Sequence, residues 1–150
     1  MDKMELIYYE EVDESVTFGA FNFEVHAVEV LEVEFSDDTS SMSDNEENEE
    51  KVVIATFAVR IENTSDRDDT FLVNPFALTT NTGEKVNNPN HPSNIMGGDF
   101  FGKVWQEGKI SFHMTTPVDE LEQITLTVDP GYNERQGEIG KEHKLEFDLN

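Results

Sequence analysis

The run Val52-Val53-Ile54-Ala55-Thr56-Phe57-Ala58-Val59-Arg60-Ile61-Glu62 constrains this chain more than any other stretch. Val53, Ala55, Phe57, Val59 and Ile61 recur at every second position, so one face of an extended strand is continuously apolar. In a helix the same residues would scatter around the axis. Val52 and Ile54 load the opposite face as well, which predicts cover on both sides where this strand begins.

The same period recurs along the chain. Ile110, Phe112 and Met114 alternate with Ser111 and His113, and Ile124, Leu126 and Val128 alternate with Gln123, Thr125 and Thr127. Leu145, Phe147 and Leu149 repeat it near the end. Phe21, Phe23, Val25 and Ala27 begin a longer run in which Val28 and Val30 take the other parity, and Leu31, Val33 and Phe35 return to the first. A one-residue slip moves every later side chain to the opposite face, so the run predicts a bulge or a passage between sheets. Phe71 and Val73, then Phe76 and Leu78, switch parity at Pro75, where a strand can spare an N–H.

Turn signals separate these runs. Asn81-Thr82-Gly83-Glu84 places Gly83 where a positive φ is needed, Gln106-Glu107-Gly108 reads as a turn, and Pro117–Glu120 as a corner. Residues 85–99 are rich in Asn, Pro and Gly and are expected to be irregular. No stretch carries a helical period. About seven to nine antiparallel strands between turns predict an all-β, two-sheet, immunoglobulin-like sandwich.

A chain of 150 residues fits one domain and buries about two-thirds of its unfolded surface without a staple. Eleven Phe supply much of the core. Residues 1–15 are expected as a flexible acidic segment, with Leu6-Ile7-Tyr8-Tyr9 able to pair as an edge strand, and 16–150 as the sandwich. Residues 36–51 are nearly all polar and acidic and read as a disordered loop within it.

Net charge is −23, from 33 acidic and 10 basic residues. Nucleic acid and anionic membrane surfaces need a basic patch, and none is visible; the densest stretch, Lys141 to Lys144, is interrupted by Glu142. A protein partner suits this charge better. There is no Cys, and no window approaches the ~18 apolar residues of a spanning helix, so direct membrane insertion is not expected. Met1-Asp2-Lys3-Met4-Glu5 is not a signal peptide. This leaves two expectations: a cytoplasmic protein, or an exported one whose leader was removed.

Three segments carry a family resemblance: Lys51 through Asn63, then Asn74-Pro75-Phe76-Ala77-Leu78 running into the Gly83 turn, then Gln106-Glu107-Gly108-Lys109 leading into Ile110-Ser111-Phe112. With the long first strand, the stretch from Val16 to Pro130 resembles a family of unknown function. It is an immunoglobulin-like sandwich of Gram-positive surface lipoproteins, related to the mycobacterial immunoprotective extracellular antigens. The resemblance implies a surface-displayed sandwich and assigns no catalytic residue. The chain departs from it by lacking the lipidated Cys and by continuing past Pro130 with another strand.

No catalytic set is readable. His26, His91, His113 and His143 are dispersed, the serines of 36–43 lie in the acidic loop, and Gly97-Gly98 precedes no helix to cradle a phosphate. No cofactor is expected, and calcium is the one metal to consider. Asp37 and Asp38, with Asp44, Glu46 and Glu47, form one oxygen-rich cluster; Asp66, Asp68 and Asp69, with Asn63, form another. Neither has EF-hand spacing, and a solvated, self-repelling loop is the favoured reading. Phe100, Phe101, Val104 and Trp105 form either a partner patch or a loop folded over the core, the core reading being favoured.

The expected function is therefore a non-enzymatic interaction module, extracellular or at the cell surface, that meets a protein or other surface partner through loops. One alternative is a ligand-binding site built from Asp99, His91 and Trp105, or a calcium-binding domain. The other is a cytoplasmic, mobile-element protein sharing the fold.

Overall fold

The apolar alternations become strands, and every pairing is antiparallel. The computed structural model describes residues 3–35, 50–73, 75–90, 97–129, 132–133, 137–138 and 142–149. In chain order the strands are β1 (Lys3–Phe18), β2 (Phe21–Phe35), β3 (Glu50–Asn63), β4 (Asp69–Leu72), β5 (Ala77–Thr80), β6 (Lys85–Asn87), β7 (Gly97–Phe100) and β8 (Trp105–Met114). They continue as β9 (Gln123–Val128), β10 (Tyr132–Asn133), β11 (Gly137–Glu138) and β12 (His143–Asp148), with one 3-10 turn at Val118–Glu120.

Eight strands make two four-stranded sheets, ordered β1-β2-β3-β8 and β12-β9-β5-β6. Pairs β4-β7 and β10-β11 form two short ribbons. The inward residues of both sheets join in one core, so the protein is an all-β antiparallel sandwich. Val53, Ala55, Phe57, Val59 and Ile61 are all buried, as the opening run requires. Phe57 of the first sheet meets Phe147 of the second with ring centroids 5.6 Å apart. Phe71, on the β4–β7 ribbon, sits among Phe18, Phe21, Phe23 and Phe76 at 5.1–6.2 Å. The ribbon therefore plugs one end of the sandwich with aromatic rings, a contact worth more than its buried area alone.

The expected phase slip in β2 is a bulge at His26: the β2–β3 register shifts between Val25 and Ala27, and Val28 and Val30 regain the core. Beyond Val30 the apolar residues change face. Leu31 lies between Leu6 and Ile54, and Val33 between Met4 and Val52, all on the side away from the core.

Three expectations are corrected. Residues from Lys3 onward are not a separate segment; they form the first part of β1, paired with β2 from Lys3↔Glu34 to Phe18↔Phe21 with register shifts between Leu6 and Tyr8 and between Glu11 and Glu14. Strand pairing supplies the order that their acidic composition does not. Gln106-Glu107-Gly108 is straight strand, because Gly108 pairs with Val59 and Gln106 with Ile61. Residues 85–99 contain β6 and β7. Of the acidic loop, Lys51 already belongs to β3, while 36–49 lie outside the described residues.

Gly83 does take φ +96 in the β5–β6 turn. That turn also carries Glu84, whose carboxylate accepts N–H and hydroxyl bonds from both Thr115 and Thr116 at 2.5–2.9 Å. Burial alone would push this carboxyl up; the hydrogen bonds outweigh it and hold the group below its ordinary value. The Tyr8 hydroxyl donates to Glu10, and this bond, with burial and the charges of Glu10 and Asp148, pushes the phenol up to about 12. Tyr8 thus stays neutral while packing against the core edge.

Candidate interaction surface

Asn63 organises the end of the sandwich where β3 stops. It is fully buried, and a buried amide needs its hydrogen bonds made. Its Nδ2 donates to the carbonyls of Arg67 at 2.8 Å and Gly102 at 2.9 Å. Its Oδ1 accepts from the N–H of Ser65 at 3.0 Å and the Ser65 hydroxyl at 2.9 Å. Its own N–H donates to the Val104 carbonyl at 3.0 Å. One side chain thus ties the loop after β3 and the loop after β7 to the same strand end.

A second clamp lies at the start of β7. Gly97 N–H donates to Gln106 Oε1 at 3.0 Å, and Gln106 Nε2 donates back to the Gly97 carbonyl at 2.9 Å. Gly97 has φ +94, and a Cβ there would sit 2.5 Å from the Phe71 carbonyl oxygen. Only glycine allows that approach.

Held at these two points, the chain displays Phe101, Val104 and Trp105. Phe101 is 69% exposed and Trp105 53% exposed, while Phe100 is fully buried and edge-on to Phe21 at 5.3 Å. The expectation that all four rings and side chains fold over the core therefore holds for Phe100 and fails for Phe101, Val104 and Trp105. The strand period explains it: Gln106 pairs with inward-facing Ile61, so Trp105, one position earlier, faces outward. The Arg60 guanidinium lies over the indole, 4.3 Å from the ring centroid. Arg60 also approaches Glu107 at 3.6 Å and Glu62 at 4.0 Å. The stack contributes on the order of 0.5–1 kcal/mol at an exposed site and fixes how the ring is presented.

The acidic candidates are placed around this end without converging. Asp66 is exposed and 3.9 Å from Lys103 Nζ, and Asp69 Oδ1 accepts from the Thr70 N–H at 2.9 Å. Asp68 lies between them in the same loop. Among the described residues, no three His, Asp or Glu side chains come together as metal ligands. Asp37 and Asp38 lie outside the described residues, as does His91. Asp99 accepts from the Thr70 hydroxyl at 2.7 Å, so of the Asp99, His91 and Trp105 set two members are placed.

No nucleophile paired with an oriented base is present in this constellation. What the described residues present here is exposed aromatic area, an arginine stacked on the indole, and polar side chains around them. The Asn63 clamp was missed from sequence. Its signal is a polar residue at the inward parity, directly after five apolar ones from Val53 to Ile61.

No family model and no curated protein sequence matches the chain. Solved structures do. A functionally unknown protein of Listeria monocytogenes superposes with TM-score 0.72 at 15% identity, over 99% of this chain and 88% of that one. The yjhA protein of Bacillus subtilis gives 0.56 at 17% identity, over 94% and 99%. A candidate lipoprotein of Bacillus subtilis, ycdA, gives 0.56 at 13% identity over 93% of this chain, which spans 39% of its length. At such identities the likeness is one of fold. No helix among the described residues is long and apolar enough to cross a membrane.

Proposed function

We propose that this protein is a non-enzymatic interaction module that works outside the cell or at its surface and binds a protein partner through the Phe101–Trp105 loop. The observation that carries this reading is the exposure of Phe101, Val104 and Trp105 on a backbone pinned by the buried Asn63 and by Gln106. Large rings held rigidly in water lose little conformational freedom on binding and bury much apolar area, the combination found in binding hot spots. Surface display is supported by the resemblance to Gram-positive lipoproteins and by a fold neighbour that is a candidate lipoprotein. Kinship with the immunoglobulin-like family and the mycobacterial antigens belongs to the same proposal.

The test is capture from the cell-wall and membrane fraction of a Gram-positive bacterium, comparing the native chain with Phe101→Ser/Trp105→Ser. Both residues are exposed, so the variant keeps its melting temperature. A discrete protein retained by the native chain and lost by the variant supports the reading. Equal retention by both contradicts it.

A further inference from the structure

The two edges of the first sheet differ. β8 is one edge, and from Ser111 onward its outer backbone is already occupied. The Ser111 carbonyl accepts from Asn90 N–H at 2.7 Å, His113 N–H donates to Asn90 Oδ1 at 2.7 Å, and Thr115 and Thr116 N–H donate to Glu84 at 2.8 Å. Caps of this kind block strand addition. β1 is the other edge. Among the described residues, no hydrogen bond from outside the β1–β2 pair reaches its backbone over 16 residues. The β1–β2 register shifts between Leu6 and Tyr8 and again between Glu11 and Glu14, which blunts the edge beyond Leu6 and leaves Lys3–Leu6 as the regular template for another strand.

The side chains along that edge specify the strand it fits. Met4, 68% exposed, and Leu6, 57% exposed, lie on the face away from the core, in line with Val33 and Val52 and with Leu31 and Ile54. By strand alternation Glu5, Glu32 and Glu34 fall on the opposite face, where they outnumber Lys3 and Lys51, and Lys3, Met4, Glu5, Glu32 and Glu34 together line a hollow at the same strand end. An added strand sets its residues alternately on these two faces. Those beside Met4 and Leu6 gain by burying apolar area; those beside Glu5, Glu32 and Glu34 gain by carrying positive charge.

We infer that β1, over Lys3–Leu6 before its register shift, accepts an extended strand of a partner protein whose residues alternate between apolar and basic. A second copy of this chain does not fit. Two β1 edges paired antiparallel would bring together Glu5, Glu10, Glu11, Asp13 and Glu14 of both molecules, each of net charge −23. The surface is also separate from the aromatic loop: the ten residue steps from Val52 to Glu62 put about 33 Å of strand between the two. It stands whether or not that loop binds.

The experiment is a fluorescence-anisotropy titration of the full chain, at moderate salt, with a short labelled peptide alternating valine and lysine. A peptide of the same composition in block order controls for charge alone. The alternating peptide is expected to bind about ten-fold more tightly than the block peptide, and Met4→Lys/Leu6→Lys to lose about ten-fold. On the unmodified chain, hydrogen exchange of β1 amides slows when the alternating peptide is present, a readout that needs no variant. Equal binding of the block peptide, no binding, or β1 amides left unprotected would overturn the inference. So would a dimer, seen by sedimentation, that Leu6→Lys dissolves, since the edge would then be taken by a second copy.

Discussion

Glu84 Oε1 accepts two hydrogen bonds from Thr116, one from its N–H at 2.8 Å and one from its hydroxyl at 2.5 Å. The pair joins the β5–β6 turn of one sheet to the end of β8 in the other. Four donors from Thr115 and Thr116 hold the carboxyl below its ordinary 4.5. A depressed folded value means that the folded state prefers the charged form. The stability it contributes is complete above 4.5 and is lost as the pH falls through the lower folded value. Glu84→Gln is expected to cost about 1 kcal/mol at neutral pH, a charge-assisted bond discounted for partial exposure. Urea midpoints of the two proteins should converge as the pH falls well below 4.5. A gap that stays constant with pH would assign the loss to packing.

Gly97 and Gly83 both have positive φ, yet their substitutions should differ. Gly83→Ala meets nothing within 4 Å and costs only the left-handed backbone term, about 1–2 kcal/mol. Gly97→Ala adds a Cβ 2.5 Å from the Phe71 carbonyl and should cost about 2 kcal/mol more, because backbone must move. Thermal melts of the two variants check the order.

Asn63→Ala removes the donors to the Arg67 and Gly102 carbonyls and the acceptor for Ser65. Leaving these groups unpaired is expected to cost about 3 kcal/mol. The loops it holds carry Arg67 and Lys103, both trypsin sites. Limited trypsin digestion should cut the variant at these two positions while the native chain resists; an unchanged pattern would mean that the loops are held by other contacts.

Trp105 is the chain's single tryptophan. Its emission in the folded protein should be that of a water-exposed indole, quenched by acrylamide. Arg60→Ala uncovers the stacked face and should raise the quenching constant. Blue-shifted, protected emission would place the ring against the core.

The central strands were legible because one buried face imposes period two, as at Val53–Ile61, Ile110–Met114 and Ile124–Val128. The bulge at His26 was legible for the same reason, since Val28 could regain the core only through a slip. Of β1 only Leu6–Tyr9 was legible, as a run able to pair at an edge; the rest takes its order from pairing with β2, and locally Glu5, Glu10, Glu11, Asp13 and Glu14 read as solvated chain. At the aromatic loop, composition marked the right residues but not their directions. Phe100 and Phe101 are neighbours with opposite fates because β7 ends between them, pairing Phe100 with Asp69. Register across strands decides such cases, and register is a long-range property.

The most direct test of the account is photo-cross-linking from the displayed loop. A photoreactive phenylalanine in place of Phe101 is compared with the same group at Glu120, exposed in the 3-10 turn near the other end of β8. Each is irradiated with a Gram-positive surface-protein fraction. The account predicts one discrete protein adduct from position 101 and none from position 120. The same adducts from both positions, or none from 101, would contradict it.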